Sequence, residues 1–423
     1  MTIEGVLIKT AAMAIAAVAL GGCVWLKTAP EEANGEAASP PILAPLNGAP
    51  DVVDAEDWRE RRAPLLRELF QSYVYGYFPP PSKASIIDQR VVSENAFNGA
   101  ARVEELMVKA PNAEGEVQFG VVLITPTNVP GPLPVIIAQN FCGNHNAVPL
   151  NGVTRSKNAP GMCDGSWAEP IIIRILGEHI QTAPLEKIIE RGYAYAAVYP
   201  GDIVPDKDET AQSALAAFHT TQDKMKRWGA IGAWAWGVSR VVDVLETLDR
   251  FDADKIAVYG HSRLGKSALV AAAYDERIDI VLAHQSGTGG ATLTRSKAGE
   301  SLKQITTSYP HWFAPIYAAY AGREGDLPID QHMLIALIAP RPVLLGNARR
   351  DVWSDPVGAF RAAEGADPVY ELFGGNGLDQ PNLVDINYDA DIAFHMRPGG
   401  HGVNGADWEA FLSFLDAQTD TGN

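Results

Sequence analysis

The stretch Lys255 to Ala273, KIAVYGHSRLGKSALVAAA, decides how this chain is read. A short apolar strand (Ile256, Ala257, Val258, Tyr259) runs into a Gly-bounded turn carrying Ser262 and leaves as a helix. That is the layout of a nucleophile elbow. Gly260 lets the backbone turn sharply, and the following helix aims its free N–H groups at whatever reacts with Ser262. The pattern departs from G-x-S-x-G, because Leu264 stands where the second glycine belongs and Gly265 comes one residue late. Arg263 and Lys266 sharpen the signal. Cations in the first turn of a helix oppose its dipole, and behind a central strand they would be poorly solvated, so an anionic species is expected to form beside them. Taken alone, the stretch leaves open a phosphate-binding or ordinary strand-turn-helix.

The 423 residues are 47% apolar and 20% charged, enough to bury a large core. A formal charge of −17, from 34 Lys+Arg against 51 Asp+Glu, repels nucleic acid and anionic headgroups and favours neutral or cationic partners. With three Cys and no C-x-x-C or H-E-x-x-H pair, neither a disulfide scaffold nor a metal site is expected, and no cofactor is called for.

The N-terminus reads as an export signal over residues 1–22: an apolar, Ala-rich run from Thr10 to Gly22 follows Lys9. Leu20-Gly21-Gly22-Cys23 resembles a bacterial lipobox, which would lipidate Cys23 and make the protein an exported lipoprotein of the outer membrane, periplasm or cell surface. An ordinary cleaved signal or an uncleaved anchor are the alternatives. Residues 23–56, rich in Ala, Pro, Glu and Gly between Lys27 and Pro50, read as a flexible linker, and 57–423 as one catalytic domain, expected to be a monomer.

In the domain, Trp58–Pro81 carries Leu65, Leu66, Leu69 and Phe70 at helical spacing until Gly76 and the prolines stop it. Arg102–Lys109 and Val117–Thr125 read as antiparallel strands, and Leu133–Asn140 as a buried strand leading into FCGNHN. Cys142 and Cys163 lie in the irregular region beyond it. They could close a disulfide loop of about twenty residues, contributing about 3 kcal/mol, or remain two buried thiols. Helices then alternate with strands at Tyr193–Tyr199, Ile256–Tyr259, Asp279–Gln285, Pro342–Asn347 and Ala393–Met396, with helices at Leu185–Arg191, Lys226–Arg250, Pro356–Glu364 and Ala406–Leu415. This order implies an α/β class fold with a doubly wound, mainly parallel central sheet flanked by helices.

Two loops complete a constellation. PVLLGN is followed by ARRDVWSDP, placing Asp351 just beyond a buried strand, and AFHMRP by GGHGV, placing His401 on a Gly-flanked loop. The order Ser262, Asp351, His401 is that of α/β-hydrolases, in which acid and base both leave the carboxyl edge of the sheet beside the elbow. His401 would take the Ser262 proton, Asp351 would fix its tautomer, and the backbone N–H of Arg263 would hold the oxyanion. Asp355 is the rival acid, but as the residue before Pro356 at a helix start it is explained as an N-cap.

GHSRLGK resembles the G-x-S-R-x-G-K signature of the glucuronoyl esterases, carbohydrate esterase family fifteen. The resemblance extends over WRERRAPLL with VYGYFP, QNFCGNHN, VYPGDIVPD, the Trp-rich helix, QSGTGG, IDQHMLIALIAPRPVLLGNA, RRDVWSDPVGAF and RPGGHGV. It implies cleavage of the ester joining 4-O-methyl-glucuronic acid on xylan to a lignin alcohol. Ser262, Asp351 and His401 would take the triad positions, Arg263 would steady the oxyanion with its side chain, Lys266 would bond sugar hydroxyls, and Glu300 and Trp353 would hold and stack on the glucuronate. Fungal members of this family carry their acid at the place of Gln285 and a disulfide where this chain has His261 and Gly402, so the acid here rests on Asp351 alone. Another exported esterase (acetyl or feruloyl), or a non-catalytic glycan-binding surface lipoprotein, are the competing readings.

Overall fold

A computed structural model describes residues 27–33, 39–160, 163 and 169–419. The lipobox and Cys23 lie outside them.

One nine-stranded sheet organises the described residues. In chain order its strands are β1 (Ser85–Ala96), β2 (Ala101–Pro111), β3 (Glu116–Pro126), β4 (Leu133–Gln139), β5 (Ala194–Val198), β6 (Phe251–His261), β7 (Ile280–His284), β8 (Val343–Ala348) and β9 (Ile392–Arg397). They lie in the order β1-β2-β3-β5-β4-β6-β7-β8-β9. β1, β2 and β3 pair antiparallel, and β3 also meets β5 antiparallel. From β5 to β9 every pairing is parallel, with Val258 of β6 opposite Ile137 on one side and Val281 on the other. β4, β5, β7 and β8 are buried along their whole length. That burial is why they read as continuous apolar runs rather than alternating ones.

Helices cover both faces. α1 (Ala63–Phe70), α3 (Ala230–Leu245), α4 (Arg263–Tyr274) and α5 (Pro356–Leu372) contribute to one large apolar cluster, while α2 (Leu185–Glu190) and α6 (Gly405–Thr419) contribute to a second across the sheet. α3 is buried on nearly every side, and its Trp234 and Trp236 belong to that core. Sequence periodicity placed these elements; it missed β1. That strand lies at the sheet edge, mostly exposed, so its side chains carry little of the hydrophobic alternation that marks a half-buried strand.

The expectation of a flexible linker is corrected for residues 27–33 and 39–56. Ala29, Ile42 and Val52 are buried. The Ala29 N–H donates to Arg349 O at 2.6 Å, and Arg349 pairs with Glu31 at 2.7 Å. Buried Arg62 donates to the carbonyls of Ile42, Ala44 and Pro50, and His332 Nε2 lies 2.9 Å from Pro40 O. The segment docks through its own backbone oxygens onto side chains of the domain, which its composition could not reveal. Cys142 and Cys163, left open between a disulfide and two buried thiols, form a disulfide with Cα atoms 5.4 Å apart.

Candidate active site

Ser262 sits between β6 and α4 with φ 57° and ψ −124°, a backbone conformation that L-residues rarely adopt. Its N–H donates to His284 O at 2.8 Å, tying the turn to β7. A Cβ on Gly260 would stand 2.1 Å from Leu264 O, so the strand can end in this turn only with glycine there. The displaced second glycine has the same kind of reason. A Cβ on Gly265 would meet Gly260 O and His284 O at 3.0 Å and Ser286 Cβ at 3.1 Å, because the first turn of α4 passes closely over β6 and β7 at that residue. Leu264 points instead into the core.

Asp351 and His401 come from the same edge of the sheet, three residues past β8 and four past β9. Asp351 is 4% exposed, and its Oδ2 lies 2.8 Å from His401 Nδ1. Burial pushes the Asp351 carboxyl up, but the His401 ring beside it, with further hydrogen bonds from Ser354, leaves it below the usual carboxylate range. An ionised carboxylate accepts only, so it assigns the proton to Nδ1 and leaves Nε2 with its lone pair, the form a general base requires. Asp355, the rival acid, caps α5: it accepts from the Gly358 N–H at 3.0 Å and from the Ser296 hydroxyl.

Arg263 Nε lies 2.5 Å from Asp206 Oδ2, and its guanidinium stands 4.6 Å from the Phe141 ring centroid and 5.9 Å from that of Trp312. Asp206 also accepts from the Trp312 indole N–H at 2.7 Å and faces His311 Nε2 at 2.9 Å. Burial would raise its carboxyl, yet Arg263, His311 and Trp312 together hold it below the ordinary value. Asp206 is therefore the anchor of Arg263. The sequence contained it in VYPGDIVPD without a pattern that assigned it a partner, because Arg263 is 57 residues away along the chain.

Lys266 is buried, and its ammonium donates to the carbonyls of Ser286 and Thr288, the latter at 2.8 Å. Burial pulls its pKa down to about 8, against the opposing pull of Glu300 and Asp351. Burial likewise raises the Glu300 carboxyl, offset by Lys266 and the Trp353 side chain. The backbone joins the same pair: the Glu300 N–H donates to Trp353 O at 2.8 Å, and the Thr288 hydroxyl to Glu300 O at 2.5 Å. Trp353 itself is 46% exposed. The fold thus gathers Lys266, Glu300 and Trp353 beside Asp351, although they lie on three separate stretches of chain. Both cations of the first turn of α4 also have protein partners, Asp206 for Arg263 and the carbonyls of Ser286 and Thr288 for Lys266. An ammonium has three N–H donors, however, and two of those of Lys266 are directed at carbonyls.

A mainly parallel sheet of this order, with a strained serine at the turn between its central strand and a helix, is the α/β-hydrolase fold of a carboxylic ester hydrolase. The profile of the family described as "Glucuronyl esterase, fungi" matches residues 153–374. The chain is 36% identical over 388 residues to carbohydrate esterase MZ0003 of an unknown prokaryotic organism, covering 86% of each protein. It superposes on a glucuronoyl esterase of Solibacter usitatus with a TM-score of 0.74 and 32% identity, over 92% of this chain and 99% of that one. A 4-O-methyl-glucuronoyl methylesterase of Wolfiporia cocos is 33% identical over 186 residues, 42% of this chain and 46% of that protein, so the match spans about half the length of this fungal relative. The chain belongs to the glucuronoyl esterases, carbohydrate esterase family 15.

Proposed function

We propose that this esterase cleaves the bond between 4-O-methyl-D-glucuronic acid of glucuronoxylan and lignin alcohols, with Ser262, His401 and Asp351 as its triad. The observation that carries the reading is the His401–Asp351 pair at 2.8 Å on the sheet edge that also presents the strained Ser262. Ser262 Oγ attacks the uronate carbonyl carbon while its proton passes to His401 Nε2, and the carbonyl π electrons become the oxyanion. The Arg263 N–H at the start of α4 and its guanidinium, fixed by Asp206, face the developing charge. Collapse expels the alcohol, which leaves with the proton from His401, and a water activated by the same nitrogen hydrolyses the glucuronoyl-serine ester. A uronate ester is neutral where the intermediate and the released acid are anionic, so two nearby cations favour the later states over the substrate.

On this reading Lys266 and Glu300 bond sugar hydroxyls and Trp353 covers a sugar face. The Cys142–Cys163 bridge supports placement in an oxidising compartment, in keeping with an exported lipoprotein anchored at Cys23 and acting as a monomer. The test is hydrolysis of benzyl D-glucuronate, an acetylated xylose and an aryl acetate by the purified protein. Turnover of the glucuronate ester at least a hundredfold above both acetates is expected. Preference for the acetates would make it another xylan esterase, and inactivity on all three would favour a glycan-binding protein.

A further inference from the structure

We infer that Gln285 is a positioning residue for His401, holding the loop of that base from both sides. Gln285 follows β7 directly, is 1% exposed, and has a φ of 46°. Its backbone N–H donates to Gly346 O of β8 at 2.7 Å, so the residue is pinned between the strand beside the elbow and the strand that leads to Asp351. From there its side-chain amide crosses to the loop after β9. Oε1 accepts from the Gly402 N–H at 2.8 Å, and Nε2 donates to Gly400 O at 3.2 Å. The two bonds straddle His401.

This brace acts on the backbone, whereas Asp351 acts on the ring: one sets where the imidazole stands, the other which way it turns and which nitrogen carries the proton. The loop needs such a brace. Three of the five residues Gly399 to Val403 are glycine, Gly399 has a φ of 105°, and a Cβ added at Gly400 would meet nothing within 4 Å, so side-chain packing does not fix that position. The loop is held as well by Arg397 Nη2, which donates to Gly402 O at 2.6 Å and lies 3.4 Å from Gly400 O, and by the backbone at its two ends, where the Arg350 N–H donates to Gly399 O at 2.8 Å and the Val403 N–H to Leu176 O at 2.7 Å; Gln285 is the side chain that bonds on both sides of His401. An amide is the one uncharged side chain of this length that offers an acceptor and a donor in a planar fork. A carboxylate would keep the bond from Gly402 and face the Gly400 carbonyl with a second acceptor. The strained φ of a buried non-glycine residue is the kind of backbone cost retained where a side chain must be aimed.

The proposal rests on His401 being the base. It is tested by steady-state hydrolysis of benzyl D-glucuronate by the wild type, Gln285→Met, Gln285→Ala and His401→Ala, each with a thermal melt. Loss of a hydrogen bond that holds the base is expected to lower kcat about fivefold, so about thirtyfold for Met and for Ala, each of which removes both. KM should stay within twofold, because the groups proposed to bind the sugar are untouched. A folded Gln285→Met enzyme with wild-type kcat, or a KM that rises in step with the loss, overturns the proposal. Should the Met variant not fold, a folded Gln285→Ala enzyme with unchanged kcat overturns it equally. Activity retained in His401→Ala would overturn the triad itself, an outcome distinct from failure of the brace.

Discussion

Asp351→Asn isolates one atom of the proposed machinery. In the wild type the carboxylate accepts from His401 Nδ1 at 2.8 Å in a site where Asp351 is 4% exposed. When His401 takes the serine proton it becomes an imidazolium whose charge lies about 4 Å from that of the carboxylate, an attraction of about 4 kcal/mol at an effective dielectric of 20. Losing it slows the step about a thousandfold. The substitution also presents an amide N–H to Nδ1 in one of its two orientations, which would move the ring proton to Nε2 and remove the lone pair that accepts the serine proton. In comparable triads the two effects together cost about ten-thousandfold. We therefore expect kcat on benzyl D-glucuronate to fall between about 10³-fold and 10⁴-fold. KM should change little, because the carboxylate faces His401 and Ser354. Paired measurements of kcat, KM and the melting temperature check this. A folded Asp351→Asn enzyme within tenfold of wild-type kcat would mean that another group orients His401, and the assignment of Asp351 would be wrong.

Other consequences are as specific. Lys266 carries its charge only below a pKa of about 8, since burial disfavours the ammonium; kcat/KM on a glucuronate ester should decline as pH rises through that value, and Lys266→Arg, which stays charged, should lose that decline even at reduced activity. Arg263→Lys keeps the charge but gives up the guanidinium's contacts with Phe141 and Asp206, so kcat should drop roughly 10- to 100-fold while the protein melts normally. Gly265→Ala forces a Cβ to 3.0 Å from two carbonyl oxygens; an overpacking cost of about 1–3 kcal/mol is expected in urea denaturation, together with loss of turnover. Buried Asp407 accepts from Arg397 Nε at 2.7 Å and lies 3.2 and 3.4 Å from His284 and His395 Nε2. Burial would raise its carboxyl, but His284, His395 and Arg397 hold it far below normal, so the stability it confers is fully present above the unfolded carboxylate pKa and is lost progressively as the pH falls from that value towards the much lower folded one. Asp407→Asn should cost about 3–5 kcal/mol at neutral pH by leaving Arg397 uncompensated.

What the sequence made legible follows a physical divide. The buried parallel strands and the elbow were readable because local constraints write them: four apolar residues, a glycine that no Cβ can replace, a serine, a helix. Asp351 and His401 were readable because each follows a buried strand, and the sheet brings those strand ends to one edge. Glu300 was named by resemblance; the fold adds that its carboxyl lies close enough to Lys266 for each to shift the other's pKa, across 34 residues of sequence. Asp206 and Gln285 were quoted without roles. Their work consists of hydrogen bonds to Arg263 and to the His401 loop, and no periodicity records a bond between residues more than fifty positions apart. The same limit hid the docking of residues 27–33 and 39–56, which depends on arginines elsewhere in the chain reaching backbone carbonyls.

The most direct measurement is the turnover of benzyl D-glucuronate by Ser262→Ala beside the wild type. A folded variant that still binds the ester yet hydrolyses it no faster than buffer is expected. Hydrolysis by Ser262→Ala at a rate approaching wild type would contradict the assignment of Ser262, because it would place the nucleophile somewhere other than the strained turn on which the site is built.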